Sequence, residues 1–506
     1  MNQLGFPILS LITYLPLLGA FIVATLGGDD ARAAAKARGI ALITSLAVLL
    51  LGIFVWARFQ PGFAGYQFVE AAPWLAGINV EYRMGVDGIS LFLIMLTLGL
   101  TPIAILASHG IKTRVRSFFA ALLLLETMTI GMFAATDFIL FYVFFEAVLL
   151  PMYLIIGVWG GPRRIYAAVK FFVFTLAGSL FMILAVVWLW RHVGTTDIAV
   201  MTHTPIGRSA QMWLFLAFLA AFGVKAAVWP LHTWLPDAYG EAPVPGTVML
   251  AAVLSKMGAY GFLRFALPML PLASAAAAPL MFALGVVAVI YISYVALAQT
   301  DMKRLIAYSS AAHMGVIIIG LFTFTVEGIE GALFQMLSHG IVIAGLFLCG
   351  GVLTARGEAL TLKNLGGLAA NMPVFAAALM LFSLANMGLP GTSGFIGEFL
   401  VIIGAMKVNF WVSLLGGAGM VLGAAYMLVM LRAVLFEKSA NPRLAKLKDL
   451  NAREYAMLLP LAALVMWLGI YPSSFTHAFD APVAALVQAH IAALNPHMAL
   501  AMVTAK

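Results

Sequence analysis

Apolar stretches of about twenty residues recur along this 506-residue chain, and about twenty residues of α-helix cross the hydrocarbon core of a bilayer. Charged residues make up 9% of the sequence and hydrophobic residues 63%, whereas a soluble domain has about 25% charged and roughly half apolar residues. The alternation over about ten residues that marks a transmembrane β-barrel is missing. The sequence therefore predicts an all-α fold, a polytopic transmembrane helical bundle that forms a single domain over residues 1–506.

The apolar stretches predict about fourteen transmembrane spans. Their approximate cores are residues 5–27, 39–57, 88–108, 117–135, 138–159, 166–190, 212–235, 244–267, 278–298, 304–324, 328–354, 373–405, 411–436 and 455–475. The segment 58–87 and the tail after residue 476 are expected to be polar pieces outside the bilayer. The N-terminal stretch lacks the basic region and cleavage site of a signal peptide, so we expect it to remain as the first span.

Basic residues are concentrated in alternate loops, which predicts the orientation of the chain. If the first loop is cytoplasmic, the loops on that side carry most of the Lys and Arg, as the positive-inside rule requires. These residues are Arg32, Lys36, Arg38, Lys112, Arg114, Arg116, Arg163, Arg164, Lys303, Arg304, Arg356, Lys363, Lys438, Arg443, Lys446, Lys448 and Arg453. Both termini are then expected on the periplasmic side of a bacterial inner membrane. Topology also explains the net charge of +8 without nucleic-acid binding.

The cysteine content argues against a redox centre in this chain. Cys349 is the single cysteine, so an internal disulfide and a cysteine-bound iron–sulfur cluster are both excluded. The sequence contains no flavin or quinone signature, and no metal site is predicted. We therefore expect no cofactor in this chain.

Several ionisable residues lie inside predicted spans, although a charge at mid-bilayer costs about 2.5–3.5 kcal/mol on insertion scales. They are Glu126, Glu146, Lys170, Lys225, Lys256, His313, His339 and Glu398. Some have simple structural explanations. Lys170 is close enough to a span end to reach the surface, the two histidines could be packing residues, and Glu126 could pair with a neighbouring helix.

Glu146 and Lys225 form a natural pair of opposite charge on two spans. The simple interpretation is a fixed buried ion pair. The alternative is a switch, because burial disfavours the charged form of an unpaired lysine, and moving or protonating the carboxylate would then release the lysine proton. Imidazole and other ionisable groups follow along the chain, and such a series can pass protons if water fills the gaps.

Helix-breaking residues occur in two spans, Pro230 and Pro236 in the seventh and Pro390 with Gly391 in the twelfth. A proline removes an amide and clashes with the carbonyl four residues earlier. In lipid the freed backbone groups must be satisfied by protein or by water in a cavity. Each break therefore predicts a place where water can reach membrane depth.

The two breaks lie five spans apart. Interrupted helices at matching positions of two halves are the pattern of a transporter built from structural repeats. We therefore predict two five-helix units, residues 117–267 and residues 278–436, of which the second is inverted.

Four long stretches resemble the antiporter-like membrane subunits of respiratory complex I, and the similarity covers essentially the whole chain. They are FYVFFEAVLLPMYLIIGVWG (141–160), FGVKAAVWPLHTWLPDAYGEAPVPGTVMLAAVLSKMGAYGFLRF (222–265), DMKRLIAYSSAAHMG (301–315) and GLPGTSGFIGEF (388–399). The resemblance implies a membrane-arm subunit of a proton-translocating NADH:quinone oxidoreductase. It also implies that Glu146 partners Lys225. The lateral proton route that it implies has four members: Lys256, His339, His313 as a further candidate, and Glu398 as the outlet.

The same resemblance implies the surroundings of the chain. L-like and N-like membrane subunits are expected as neighbours, and NADH, FMN, iron–sulfur clusters and quinone are expected in other subunits. Glu126, Lys170 and His232 are candidate supporting residues. The residue at Glu398 discriminates within the family, because L-type and N-type subunits and sodium/proton antiporters typically carry lysine there.

Three alternatives remain: a subunit of a multi-subunit sodium/proton antiporter, a subunit of a membrane-bound hydrogenase complex, and a scaffold with inert ion pairs. Glu398 argues against the first, which sodium-dependent exchange without NADH would support. Co-purification with a nickel-iron enzyme would support the second. Unchanged pumping after neutralisation of Lys225 would support the third.

Overall fold

The computed structural model describes residues 5–28, 30–438 and 441–495 and is a helical bundle with one small hairpin. Within those residues, 12 helices are long and apolar enough to cross a membrane. In chain order the elements are α1 (Ile8–Thr25), α2 (Ala31–Arg58), β1 (Gln67–Leu75), β2 (Val80–Val86), α3 (Gly88–Ala107), α4 (Val115–Ala134), α5 (Phe138–Ala147), α6 (Leu149–Trp159), α7 (Arg164–Val193), α8 (Ile198–His203), α9 (Arg208–Lys225), α10 (Leu235–Glu241), α11 (Val244–Met269), α12 (Pro271–Leu297), α13 (Met302–Leu321), α14 (Val326–Ala355), α15 (Leu368–Asn371), α16 (Pro373–Asn386), α17 (Ser393–Val408), α18 (Phe410–Phe436), α19 (Ala452–Ile470) and α20 (Ser473–Leu494).

Each predicted span corresponds to helix, so the prediction of a polytopic helical bundle is confirmed. The fifth, seventh and twelfth spans are each made of two helices. In the fifth span, only Val148, which keeps helical φ and ψ angles, separates α5 from α6. In the other two, α9 is separated from α10 and α16 from α17 by several non-helical residues. The total of about fourteen spans therefore counts each interrupted pair as one span.

The break in the seventh span lies between α9 and α10, over residues 226–234, and it contains Pro230. Pro236 was expected to interrupt the span as well, and this expectation was wrong. Pro236 lies in the first turn of α10, where proline is tolerated because first-turn amides have no partner within the helix. The span therefore resumes as helix up to Glu241, in a stretch predicted to be a loop.

The break in the twelfth span lies between α16 and α17, and Pro390 and Gly391 both fall within it, as predicted. Gly388 and Gly391 have φ angles of +74° and +90°. Glycine adopts such left-handed conformations without steric cost, unlike other residues. These two glycines therefore allow the tight turns of the non-helical backbone that precedes α17, which begins at Ser393.

Helix α11, which carries Lys256, is buried over its whole apolar window. It contains two π-helical segments, Leu250–Leu254 and Phe262–Ala266, with Lys256 in the α-helical stretch between them. Short π-helical segments within α-helices are frequent at functional sites. Lys256 is thus presented by an irregular helix at the centre of the bundle.

Contacts between loops place the basic loops at one end of the bundle, which we call the basic end. Residues from different loops or span ends meet there, through Arg38 with the carbonyl of Ile111, Trp159 with the carbonyl of Thr113, Arg163 with Asp237, and Arg356 with Glu454. Ile111 and Glu454 also line the same cavity. The alternation of basic and less basic loops in the sequence is therefore matched by their positions in space.

Two segments that were expected to be only polar pieces outside the bilayer contain regular structure. Strands β1 and β2 pair as an antiparallel hairpin where only a polar segment was expected. Its turn ends at Asn79, which has a φ of +53°, and asparagine is among the residues that tolerate this conformation. The fold thus contains a two-stranded sheet besides its helices.

The second unexpected element is α20, which follows the last span directly. Its buried residues Phe475, Phe479, Val483 and Val487 are four residues apart, which is the spacing of one helical face. A Cβ at Gly88 would lie only 1.7 Å from the carbonyl oxygen of Ala478. Helix α20 is therefore packed directly on the start of α3, and the tail as far as residue 495 is part of the bundle.

Candidate functional site

Lys256 is fully buried, and its ammonium group has three hydrogen-bond acceptors. Nζ donates to the carbonyl oxygen of Ala251 at 2.7 Å, to Oγ of Ser255 at 3.2 Å and to Nδ1 of His339 at 2.7 Å. All three N–H donors of a charged lysine are thereby used. Ala251 belongs to the first π-helical segment, so the irregular helix itself supplies one of the acceptors.

His339 lies on α14 and connects Lys256 to a second histidine. When Lys256 is charged, Nδ1 of His339 accepts, so the ring is neutral and carries its hydrogen on Nε2. Within the described part of the chain, Nε2 has no hydrogen-bond partner. The ring centroids of His339 and His313 are 5.2 Å apart. The two imidazoles are therefore neighbours without a direct hydrogen bond.

His313 on α13 is surrounded by acceptors. Nδ1 lies 2.8 Å from the carbonyl oxygen of Ser309. Nε2 lies 3.0 Å from the carbonyl oxygen of Asn386 and 3.0 Å from Oε1 of Glu398. Because the two backbone carbonyl oxygens can only accept, both ring nitrogens must donate, and only the imidazolium has two donors. The geometry therefore favours an imidazolium–carboxylate pair of His313 and Glu398.

Glu398 lies in the second turn of α17 and is only 4% exposed. Its Oε1 also accepts from Nε2 of Gln335 at 3.1 Å. Gln335 is four residues before His339 on α14, so one helix contacts both the carboxylate and Lys256. Two cavities of about 10 Å³ each border Glu398, which is about the space that one water needs.

These contacts join four of the predicted site residues. We call Lys256, His339, His313 and Glu398 the buried cluster.

Lys225 is the last residue of α9 and is buried. Its Nζ donates to the carbonyl oxygen of Phe145 at 3.5 Å and lies 4.5 Å from the centre of the Phe145 ring. Glu146 follows Phe145 at the junction of α5 and α6, and its Oε1 has no hydrogen-bond partner among the described residues. No direct ion pair joins Glu146 to Lys225 in that part of the chain, although the two side chains interact electrostatically. The fixed ion pair that the sequence left open is therefore not formed.

Helices α9 and α11 approach closely between Lys225 and Lys256. A Cβ at Gly258 would lie 2.4 Å from both the Ala226 amide nitrogen and the Phe222 carbonyl oxygen. The glycine thus lets the backbone of α11 touch the end of α9. No hydrogen bond links the two lysines in the residues described. The predicted site is therefore in two parts, the buried cluster and the region of Lys225 and Glu146.

The three candidate supporting residues lie apart from the buried cluster. Glu126 on α4 is fully buried, and neither carboxylate oxygen has a hydrogen-bond partner in the part of the chain that the structure describes. His232 lies in the break after α9, and its Nδ1 is likewise unpartnered there. Nζ of Lys170 lies 2.8 Å from Oδ2 of Asp237 on α10, so Lys170 contacts the half-helix that follows the break.

Sequence reasoning missed three residues of the site. Asp237 lies 3.3 Å from Arg163 and 3.9 Å from Arg304, in addition to Lys170. Its position directly after the proline of α10 was a signal for it. Gln335 and Asn386 gave no comparable signal, because a neutral amide inside a span does not stand out as a charge does. Among the described residues, no group of three or more His, Cys, Asp or Glu could hold a metal ion.

Comparison with known proteins shows the family to which this chain belongs. Residues 135–423 match the profile described as "NADH:quinone oxidoreductase/Mrp antiporter, TM", and residues 62–132 match "NADH-ubiquinone oxidoreductase chain 4, amino terminus". The "NADH-quinone oxidoreductase subunit M" of Rhodobacter capsulatus is 45% identical over 96% of this chain and 98% of its own length.

Solved structures agree with the sequence relatives. A chain of the respiratory complex I from Thermus thermophilus is similar with a TM-score of 0.87 and 31% identity, over 95% of this chain and 99% of that chain. A chain of the Mrp complex from Dietzia sp. has a TM-score of 0.80 at 21% identity, covering 95% of this chain and 52% of that chain. The second likeness shows the fold alone. The matched profiles and the 45% identity over nearly the whole length show that the chain belongs to the NADH-quinone oxidoreductase subunit M and NADH-ubiquinone oxidoreductase chain 4 family.

Proposed function

We propose that this chain is the proton-translocating M-type membrane subunit of an NADH:quinone oxidoreductase, respiratory complex I. It couples quinone reduction elsewhere in the complex to proton transfer across the membrane. The observation that supports this most directly is the buried cluster, in which Lys256 contacts His339 at 2.7 Å and His313 contacts Glu398 at 3.0 Å inside a membrane-spanning bundle. NADH, FMN, iron–sulfur clusters and quinone belong to other subunits, and L-like and N-like subunits lie beside it.

The cluster passes its proton in a defined order. An imidazolium at His313, with its ring 5.2 Å from that of His339, opposes a second positive charge on His339 because like charges at this distance repel. The proton on Lys256 therefore stays in place while His313 is charged. Once His313 and Glu398 have released a proton outward, His339 accepts the proton of Lys256. The buried cluster thus releases a proton at Glu398 before Lys256 gives up its own proton.

Lys225 and Glu146 form the loading step. Glu146 has a free carboxylate oxygen and no direct contact with Lys225, so a small movement of Glu146 changes how strongly Lys225 holds its proton. Moving one charge against 100 mV costs about 2.3 kcal/mol. A roughly hundredfold change in the proton affinity of Lys225 is worth about 2.7 kcal/mol. This energy exceeds the cost of moving the charge.

Unpartnered polar groups near the cluster support a hydrated route. The side chains of Ser310, Ser383 and Asn386 contain buried hydroxyl or amide atoms without a hydrogen-bond partner among the described residues. Buried polar groups are normally satisfied by protein or by ordered water. Water molecules that satisfy these groups would lie around His313 and lead toward the break after α16.

The orientation follows from the charges of the loops. The basic end faces the cytoplasm, because loops rich in Lys and Arg are retained on that side, and both termini are then periplasmic in a bacterial inner membrane. The two five-helix units, residues 117–267 and 278–436, are inverted repeats, as five spans between the two breaks require. Glu398, in place of a lysine, distinguishes the chain from the sodium/proton antiporters that share its fold.

The test is the substitution Lys256→Ala in the assembled complex, assayed in inverted membrane vesicles. NADH-driven acidification should fall by roughly tenfold, because a relay without one proton-transfer group loses most of its rate. Electron transfer from NADH to an artificial acceptor should remain. The control is Lys407→Ala, which removes a half-exposed lysine paired with Glu327. Normal acidification in Lys256→Ala would overturn the proposal, and sodium-dependent exchange without NADH would favour an antiporter.

A further inference from the structure

A large cavity lies at the basic end, away from the buried cluster. Its volume is about 610 Å³, and it opens between the ends of α3, α11, α14 and α19. Its charged or titratable lining residues are His109, Lys112, Arg356, Arg453 and Glu454. Ligand sites typically have volumes of about 300–1,000 Å³. The cavity is therefore large enough for a small ligand or a lipid headgroup.

The single carboxylate of this lining is already neutralised. Arg356 donates to Oε1 of Glu454 at 2.8 Å and to Oε2 at 2.8 Å, in a bidentate pair. The same arginine also donates to the carbonyl oxygens of Val352, Lys448 and Asp449. Glu454 therefore cannot balance the other cations of the cavity.

Two arginines keep unused donors here: Arg453, which lines the cavity, and Arg38, which lies behind the lining residues His109 and Ile111. Arg453 reaches Glu454 only at 4.0 Å, and its Nε is buried without a hydrogen-bond partner in the described part of the chain. Arg38 donates through one terminal nitrogen to the carbonyl of Ile111 at 3.0 Å, and its Nε is buried and unpartnered in the same way. A buried donor without an acceptor destabilises the structure, and an anion that accepts from it removes that penalty.

The remaining cations lie close to these arginines. Arg38, Lys112 and Arg453 all act electrostatically on His109, and Arg38 and Arg453 also repel each other. Mutual repulsion of this kind is relieved when an anion binds among the cations. Guanidinium groups match phosphate oxygens in particular, because their planar N–H fork donates to two oxygens at once.

We propose that this cavity is a binding site for a phosphate group, contributed by an anionic phospholipid headgroup or by free phosphate. The phosphate accepts hydrogen bonds from Arg453, with Lys112 as a further cation of the lining and Arg38 as a cation directly behind it. Apolar lining residues such as Ile111, Val352 and Met457 suit the glycerol and first acyl carbons of a lipid. The proposal does not depend on the proton route, since binding is measured without turnover.

The experiment uses the purified, delipidated complex and follows its thermal unfolding, because a ligand that binds only the folded state raises the midpoint in a saturable way. The probes are inorganic phosphate and dihexanoyl phosphatidylglycerol, and potassium chloride at equal ionic strength corrects for screening. Wild-type complex should show a saturable rise with at least one phosphate probe. Saturation at lower concentration with the lipid identifies a headgroup site, and saturation with inorganic phosphate alone identifies a free-phosphate site.

The variant Arg38→Gln with Arg453→Gln should lose the saturable rise. The matched control, Lys36→Gln with Lys363→Gln, removes the same charge at exposed positions of the basic loops and should keep it. If the arginine variant does not assemble, Lys112→Gln at an exposed loop position should still weaken binding several-fold. Equal binding by the arginine variant, or no rise in wild type with either probe, would overturn the proposal. The latter result is also the one expected if an acidic segment of a neighbouring subunit fills the cavity.

Discussion

The two interrupted spans carry their charged residues on opposite sides of the break. Lys225 ends the helix before the first break, whereas Glu398 lies in the helix after the second. A helix has partial negative charge at its C-terminus and partial positive charge at its N-terminus. Each group is thus placed toward the helix end that favours its charge, and the effect is stronger for Lys225, which lies in the last turn.

The regions around the two breaks differ more in their hydrogen bonds than in the electrostatics of their helix ends. Glu398 is fixed by His313 and Gln335 at 3.0 and 3.1 Å, whereas the hydrogen bond of Lys225 is a long one of 3.5 Å to a backbone carbonyl. A proton on Lys225 can therefore leave only after a rearrangement or through water. A proton near Glu398 already has acceptors within hydrogen-bond distance. From this comparison we propose that the first break controls proton transfer and that the second conducts protons.

The largest effect is expected for Lys225→Ala, which removes the controlling group. Proton pumping should be abolished or reduced by roughly tenfold or more, while the complex still assembles and oxidises NADH. Vesicle acidification, measured beside NADH oxidation, checks this. Glu146→Ala should produce a similar loss, because Lys225 would then lack its carboxylate. Normal pumping in either variant would contradict the proposal, because Lys225 and Glu146 would then not control proton transfer.

A smaller and more selective effect is expected at the second break. Glu398→Gln keeps the size of the side chain but cannot carry a proton, so pumping should fall several-fold. Glu398→Asp keeps the carboxylate, shortened by one carbon, and should retain more of the rate. The measurement is the ratio of protons pumped to NADH oxidised in the two variants. Equal losses in both would show that Glu398 has a packing role and is not a proton carrier.

The smallest effect is expected for Gly258→Ala, which acts on the contact between the two regions. The added Cβ would lie 2.4 Å from backbone atoms of Phe222 and Ala226, and overpacking of this kind costs about 1–3 kcal/mol. The variant should lower the thermal midpoint of the complex and partly reduce pumping. Gly223→Ala is the matched control, because its Cβ would meet its nearest neighbour at 3.4 Å. A variant as stable and active as wild type would show that the close approach is not needed.

Much of the fold was readable from the sequence because membrane insertion is a local requirement. A span needs about twenty apolar residues whatever surrounds it, so the positions of the helices and of both breaks were predicted. Pro236 was misread because a proline at the start of a helix and one inside it look alike until the helix boundary is known. The hairpin and α20 were missed because their packing partners lie far away in the sequence.

The sequence by itself determined that the chain spans the membrane many times, that two spans are interrupted, and that Glu146, Lys225, Lys256, His313, His339 and Glu398 are its unusual polar residues. These are properties of single segments, set by hydropathy and backbone chemistry. Only the tertiary structure decided that four of these residues form one buried cluster while Lys225 and Glu146 lie outside it. Hydrogen bonds have a reach of about 3 Å, and whether two side chains come within that reach depends on how distant helices pack.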